Sequence, residues 1–280
     1  MILAVGATGR LLPVVDALLA QRVPTRVTAR DPGSPVARRL AGRGVQVVKA
    51  DLDDPDSLRV AAEGVYAVFA AGSPHQAGPE GEQRHGINVA RAVAAAGGAH
   101  LVFSSGAGAE QPTGVPVLDS KHAVERFIAE LGIPHTILAP VYFMENAFNP
   151  WNAAALAANR FPLALPQGRP LQQLAIRDLA EVTAIVLQRP GDFAGRRLEL
   201  AGDELTGEQA AATLSHVTGR PFAFHEVPVT TLPEGLRRLF EWLRRVGHDV
   251  AIDDVRGRFP ALRWHRFEDW AATREWPGKG

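Results

Sequence analysis

The amino-acid sequence predicts an α/β chain, with a doubly wound parallel sheet followed by a smaller C-terminal α+β region. Three observations carry that prediction. Apolar runs of strand length alternate with helix-like segments over the first half of the chain. The opening thirty residues, MILAVGATGRLLPVVDALLAQRVPTRVTAR, read as strand, glycine turn, helix and second strand. From about Asn149 onward the aromatic residues become frequent, and turn-forming residues with them.

Residues 1–5 are an unbroken apolar run, as a strand buried on both faces requires. Gly6-Ala7-Thr8-Gly9 supplies a tight turn at which backbone approaches a ligand closely. Pro13 suits the first turn of the next helix, where a missing N–H costs nothing, and Val15, Leu18 and Leu19 give that helix a core-facing stripe. The donors and positive dipole end at its start suit a pyrophosphate. The glycines follow G-x-x-G, with Leu12 where the third glycine of the dinucleotide fingerprint would fall. The strand before, the helix after and a second strand ending about 20 residues on give the short pattern its meaning.

Further strands are predicted at 25–29, 45–48, 65–71, 100–104 and 134–139. A doubly wound sheet binds ligands at the carboxyl ends of its strands, so the residues just past each run are the candidates. Arg30 follows the second strand, where an arginine pairs with the 2′-phosphate of NADP and an acid would hold the ribose of NAD. Asp31 comes next, but Arg10 adds a second cation, and together the arginines favour NADP over NAD. After the third strand Asp51 is placed to accept from an adenine amino group, and Asp54 or Asp53 caps a helix opening with Pro55. Ala71 and Gly72 are small where a dinucleotide would lie, and His75 follows in a loop that overhangs it. Ser105, past the fifth strand, is a candidate to hydrogen-bond a reacting oxygen. Lys121 is placed in the first turn of a helix capped by Asp119 or Ser120, at the edge of a stripe of Val124, Phe127, Ile128 and Leu131. A cation opposes the dipole there, so a role in holding the nicotinamide ribose and stabilising negative charge is expected.

Composition excludes several classes. Lysine plus arginine and aspartate plus glutamate both number 30 in 280 residues, which recommends neither nucleic acid nor an anionic membrane as partner. No cysteine is present, so disulfides, thiolate metal sites and a cysteine nucleophile are excluded together. The nine histidines lie scattered without metal-ligand spacing, and no G-x-S-x-G elbow marks a hydrolase. A first strand beginning at Met1 and the lack of a long apolar run lead us to expect a cytoplasmic location.

The ordered set of Val5-Gly6-Ala7-Thr8-Gly9, Thr28 to Pro32, Ala50 to Pro55, Val102 to Ser105, Lys121 to Phe127 and Ile137 to Asn146 resembles the NmrA-like branch of the atypical short-chain dehydrogenase/reductase superfamily. Ala201 to Thr206 extends the likeness. The resemblance implies a Rossmann-like fold with Gly6, Thr8, Gly9, Arg10 and Arg30 around the phosphates and Pro140, Tyr142 and Phe143 near the nicotinamide. Leu11, Asp51, Leu52, Ala71, Gly72 and Lys121 complete the candidate cofactor set. The position four before Lys121 is Val117, so the tyrosine of the usual tyrosine-x-x-x-lysine pair is missing. Three family behaviours fit that loss: reduction of quinones or conjugated dyes with a proton from solvent, redox sensing through a protein partner, and tailoring of aromatic natural products, oxygen insertion included. The expected activity is NADPH-dependent reduction of a small quinone-like, enone or aromatic compound, with Lys121 and Ser105 as the catalytic candidates.

Residues 1–150 are assigned to dinucleotide binding, with later returns near 174–202, and residues 151–280 to a smaller substrate or lid domain. The aromatic residues beyond Pro150, all five tryptophans among them, are expected to be chiefly its core. A helix is expected to begin at residues 177–180 and a late strand at 196–201. Residues 236–245 read as a basic amphipathic helix with Leu236, Leu239, Phe240 and Leu243 on one stripe.

Overall fold

The computed structural model describes residues 1–72 and 74–278, and side chains at all of these but 74–76. In chain order, β1 (Ile2–Val5), α1 (Leu12–Ala20), β2 (Thr25–Ala29), α2 (Pro35–Ala41), β3 (Gln46–Lys49), α3 (Pro55–Ala62), β4 (Ala67–Ala71), α4 (Pro74–Ala95), β5 (His100–Ser104), α5 (Pro116–Leu131) and β6 (His135–Pro140) alternate. They are followed by β7 (Tyr142–Phe143), α6 (Ala153–Ala157), β8 (Arg160–Leu163), β9 (Leu171–Leu174), α7 (Ile176–Gln188), α8 (Pro190–Phe193) and β10 (Arg196–Leu200). The chain ends with β11 (Asp203–Leu205), α9 (Gly207–Thr218), β12 (Ala223–Glu226), α10 (Glu234–Arg245), α11 (Ile252–Arg258) and α12 (Phe267–Ala272). Two compact units result: Met1–Pro112 with Pro116–Ala139 and Leu179–Leu198, and Thr113–Val115 with Pro140–Asp178 and Glu199–Gly280.

The first unit is built on a sheet of strand order β10-β6-β5-β4-β1-β2-β3. Pairing from β3 through to β6 is parallel throughout. The winding reverses at β1, which lies between β2 and β4. Leu3, Val5, Val68, Ala70, Leu101 and Phe103 pack in one cluster with Leu58 and Ala61 of α3, Val89 and Val93 of α4, and Val124 and Ile128 of α5. Ile2, Ala4, Phe69 and Val102 alternate with them and are buried too, so both faces are covered and unbroken apolar strands are what the sheet needs. The buried stripe of α1 is Val14, Val15 and Leu18, whereas Leu19 is half-buried. The expected stripe thus turns by one position. Ser34 caps α2 and Asp54 caps α3, each worth about 1 kcal/mol. Asp53, the other cap candidate, is engaged elsewhere.

The second unit is α+β. Its strands form a sheet of order β11-β9-β7, antiparallel between β11 and β9 and parallel between β9 and β7, and a parallel pair of β8 with β12. Its core is aromatic as expected: Trp270 meets Phe267, Phe148 and Trp276 at ring-centroid distances of 5.4, 5.8 and 5.8 Å. Trp151 is the exception and is mostly exposed. Trp270 is 2% exposed, and its indole Nε1–H donates to Glu145 at 3.0 Å. Glu145 also accepts from the Ile176 backbone at 3.1 Å and faces Arg274 at 3.4 Å. On α10 the buried residues are Phe240, Trp242 and Leu243, with Leu236 and Leu239 only half-buried. No helix among the described residues is long and apolar enough to cross a membrane.

Two stability predictions come from these cores. Replacing Trp270 with alanine removes a large buried ring and strips Glu145 of a donor, and should cost about 3–5 kcal/mol in denaturant unfolding. An effect below 1 kcal/mol would show that the cluster collapses around the gap. The other concerns His100 at the start of β5. Its Nε2 lies 2.8 Å from the Thr136 hydroxyl, whose single proton goes to the Phe193 carbonyl, so the neutral ring donates from Nε2. Burial, and secondarily the charge of His135, holds its pKa down at about 4. The unfolded chain therefore binds the extra proton first, and the stabilisation is complete above pH ~6.5 and lost as pH falls through about 4. The gap in denaturation midpoint between the protein and His100→Gln should shrink from pH 7 to pH 4, and a constant gap would contradict it.

Candidate active site

The site begins where β1 and β4 end. Gly6 has φ +73°, and a Cβ built on it would lie 2.4 Å from the Ala71 carbonyl oxygen. Both its conformation and its room exclude a side chain. A Cβ on Gly9 would meet no protein atom within 4 Å, so packing does not require that glycine. The turn is closed by its own carbonyls, with Leu12 N donating to Gly9 O and Val14 N to Leu11 O, both at 3.0 Å. Pro13 lies in the first turn of α1, whose N-cap residue Leu11 gives no side-chain bond, in contrast to the capped α2 and α3. Pro13 has no N–H and those of Leu12 and Val14 are engaged within the turn, so what the helix start offers an anion is its positive dipole end, beside the close approach of β1 to β4. Leu12, in place of a third glycine, is the first helical residue and half-buried.

The charged residues at the neighbouring tips differ in their surroundings. Arg10 and Arg30 are exposed. Asp31 turns back on its own loop, accepting from Gly33 N at 2.8 Å. Asp51 likewise accepts from Asp53 N at 2.9 Å, and Leu52 gives its carbonyl to Asn88 at 2.9 Å. Asp53 pairs with Arg84 at 2.8 Å and His85 at 3.1 Å. Hydrogen bonds from Arg84 and then His85 hold its carboxyl below the usual range. That partnership, across 31 residues of sequence, is why Asp54 alone caps α3.

Beyond Ala71 and Gly72 at the β4 tip, Ser73 and the side chain of the candidate His75 lie outside the described residues. α4 is broken at Gly78 (φ 68°, ψ 177°) and resumes with Pro79, which puts Glu82 within a turn of the new start. Glu82 has a side chain 0% exposed, and Lys121 reaches it with Nζ 2.8 Å from Oε1. The Ser120 hydroxyl lies 3.2 Å from the other oxygen and 3.1 Å from the Val117 carbonyl, which share its one proton. Lys121 is 14% exposed and stands in the second turn of α5, not the first, because Pro116, Val117 and Leu118 extend the helix upstream. Neither Asp119 nor Ser120 caps it.

Ser105 is 4% exposed, and its hydroxyl donates to Glu125. Glu125 also accepts from Arg197 at 3.1 Å, and Arg197 binds Glu110 at 2.6 Å and the Gly106 carbonyl at 2.9 Å. Through its bond to Glu125, Ser105 anchors the loop after β5. Pro140 is buried at the end of β6. In the second unit Tyr142 and Phe143 are half-buried on β7, paired with Gln173 and Leu174 of β9, and the Tyr142 ring meets Phe240 edge-on at 5.9 Å. That unit also holds a cavity of about 500 Å³ lined by Asp203, Glu204, Asp249, Asp253, Asp254 and Arg256, among others, a charged surface unsuited to a flat apolar compound. Among the described residues no group of three His, Cys, Asp or Glu is placed to hold a metal ion.

A model of the NmrA-like family matches residues 1–257. The chain belongs to the NmrA-like family. A (4-alkanoyl-5-oxo-2,5-dihydrofuran-3-yl)methyl phosphate reductase of Streptomyces griseus is 34% identical over 232 residues, which are 82% of this chain and 78% of that protein. An NAD(P)H azoreductase of Xenophilus azovorans is 31% identical over 80% of this chain and 76% of its own. Among solved structures, an NADPH-dependent quinone oxidoreductase of Escherichia coli in complex with NADPH has a TM-score of 0.83 at 25% identity, covering 97% of this chain and 99% of that one.

Within this NmrA-like chain, Glu82 and Glu125 are the site residues that sequence reasoning missed. Glu125 carried a signal, being a charge one helical turn from Lys121 between the buried Val124 and Ile128. Glu82, in a glycine- and proline-rich stretch, carried none. The two glycines of the turn give a direct contrast. Gly6→Ala should lower stability by about 2 kcal/mol or more, through strain and overlap with β4, while Gly9→Ala should stay within about 0.5 kcal/mol. Equal denaturation midpoints for the two variants would contradict the geometry.

Proposed function

We propose that the protein is an NADPH-dependent oxidoreductase that reduces a small, electron-poor compound of quinone-like, enone or aromatic type by hydride transfer. The observation that carries this reading is the close approach of β1 to β4 at Gly6, with the start of α1 after one strand and the Lys121–Glu82 pair beside the tip of the other. The acceptors in the relatives' names, an alkanoyl oxodihydrofuran, an azo compound and a quinone, share an electron-poor π-system. NADPH, when bound, supplies the hydride from its nicotinamide ring.

The residues divide the work as follows. Gly6, Thr8, Gly9 and Leu11 present backbone to the pyrophosphate. Arg10 and Arg30 hold the 2′-phosphate, the Asp31 carboxylate being turned away onto Gly33. Asp51 and Leu52 border the adenine, Ala71 and Gly72 keep the β4 tip low, and Pro140, Tyr142 and Phe143 border the nicotinamide. Lys121 orients the ribose and offers its remaining N–H donors to negative charge developing on the acceptor. Val117 stands where a phenol would serve as proton donor, and an acceptor whose reduced form takes its proton from solvent makes that donor dispensable.

The test mixes purified protein with NADPH or NADH and a panel of quinones, azo dyes and conjugated enones, following the reduced nicotinamide band beside a binding titration. Cofactor oxidation that needs both protein and acceptor is expected, and Lys121→Ala should lower kcat by about 100-fold without loss of fold. Arg30→Ala should raise KM for NADPH and leave that for NADH unchanged. Tight binding without turnover across the panel would replace this reading with a redox sensor acting through a protein partner, and an unchanged rate in Lys121→Ala would remove Lys121 from the chemistry.

A further inference from the structure

We infer that Glu82 is the positioning residue of Lys121 and the counter-charge that suits the site to an oxidised, positively charged nicotinamide. This inference rests on the NADPH reading above.

Three local features converge on that carboxylate. The Gly78-Pro79 break restarts α4 just before Glu82, at the end of a helix where a negative charge is favoured. Gly72 leaves the space it fills: a Cβ there would stand 2.4 Å from Glu82 Oε1 and 2.5 Å from its Cγ. Ser120, adjacent to Lys121, binds the second oxygen. The carboxylate is therefore pressed against the β4 tip, with its oxygens shared between a lysine and a serine hydroxyl.

Stability alone is a poor reason to build this. Two charges withdrawn from water cost roughly what their attraction returns, and an apolar pair of similar size would serve a core at least as well. Electrostatics supplies the better reason. An ammonium has three donors, and Glu82 occupies one, which limits the directions left to the others. The pair as a whole is neutral, so it favours ribose hydroxyls and does not compete with the arginines for phosphate. Hydride transfer leaves a positive charge on the nicotinamide ring, and an unpaired Lys121 would oppose that charge. Glu82 cancels the opposition while leaving the donors of Lys121 in place.

The inference is tested with Glu82→Gln, Lys121→Met and the double variant, each titrated with NADPH and with NADP⁺ and assayed with 1,4-naphthoquinone as acceptor. In Glu82→Gln the ratio of Kd for NADP⁺ to Kd for NADPH should rise by about threefold to tenfold over that of the unaltered protein. The double variant should show a higher ratio than Lys121→Met, since the negative charge of Glu82 favours NADP⁺ with or without the cation. Turnover in Glu82→Gln should fall by about 10- to 100-fold in kcat with little change in KM for the quinone. Labelling of Lys121 by acetic anhydride in the cofactor-free protein, read by mass spectrometry, should increase. An unchanged ratio of dinucleotide affinities in Glu82→Gln overturns the role of Glu82 while leaving the oxidoreductase intact. Failure of the unaltered protein to bind either dinucleotide overturns the underlying reading instead.

Discussion

The approach of Gly6 to the Ala71 carbonyl is the constraint from which the first unit's site follows. At that point two parallel strands that diverge into different loops come within the width of a missing methyl group. The reversal of winding at β1 opens the crevice that doubly wound sheets use for ligands. A side chain at Gly6 would drive the strands apart and move both the start of α1 and the tip of β4. The positions of Gly9, Gly72 and, through Gly72, the Glu82 carboxylate are all fixed relative to that contact.

Apolar packing sets the secondary structure, but buried carboxylates fix the loops. Glu125 ties Ser105 and Arg197 together and so pins the segment after β5. In the second unit Glu145 gathers the Ile176 backbone, the Trp270 indole and Arg274, while Asp178 binds both the backbone N–H and the ring of His265, at 2.9 and 2.6 Å. Each of these acids accepts from two or more donors contributed by distant parts of the chain. Apolar contacts tolerate sliding; a buried carboxylate with several directed donors does not, because one lost partner leaves a charge uncompensated. The chain uses acids where position matters more than net stabilisation.

The same division explains how much was legible in the sequence. The six strands β1 to β6 stand out because buried parallel strands are continuous apolar runs, and their ends fell within two residues of expectation. Gly6 was legible because its turn stands between a strand run and a helix in one continuous stretch, although the Ala71 contact that also requires it comes from another strand. The start of α5 was not, since Val117 and Leu118 look like loop until the fold buries Leu118. Asp53 read as a cap because its real partners, Arg84 and His85, come from a helix 31 residues away. Glu82 was invisible for the same reason: its meaning depends on Lys121, 39 residues later, and on the absence of a side chain at Gly72. Ser105 was legible as a strand-end hydroxyl, but its bond to Glu125 was not, because that partner comes from α5.

That lesson bears on the missing tyrosine. A phenol four residues before the lysine would add a proton donor of fixed strength, useful for a plain carbonyl whose oxygen must be protonated as hydride arrives. Val117 gives up that assistance, and the chain invests in a charge pair at Lys121 in its place. A neutral pair gives little help to a localised alkoxide, which wants an uncompensated cation. It is adequate for an acceptor that spreads its new electrons over a conjugated system. The loss of the tyrosine and the presence of Glu82 thus select for the same class of substrate, one whose reduced form is a stabilised, delocalised anion.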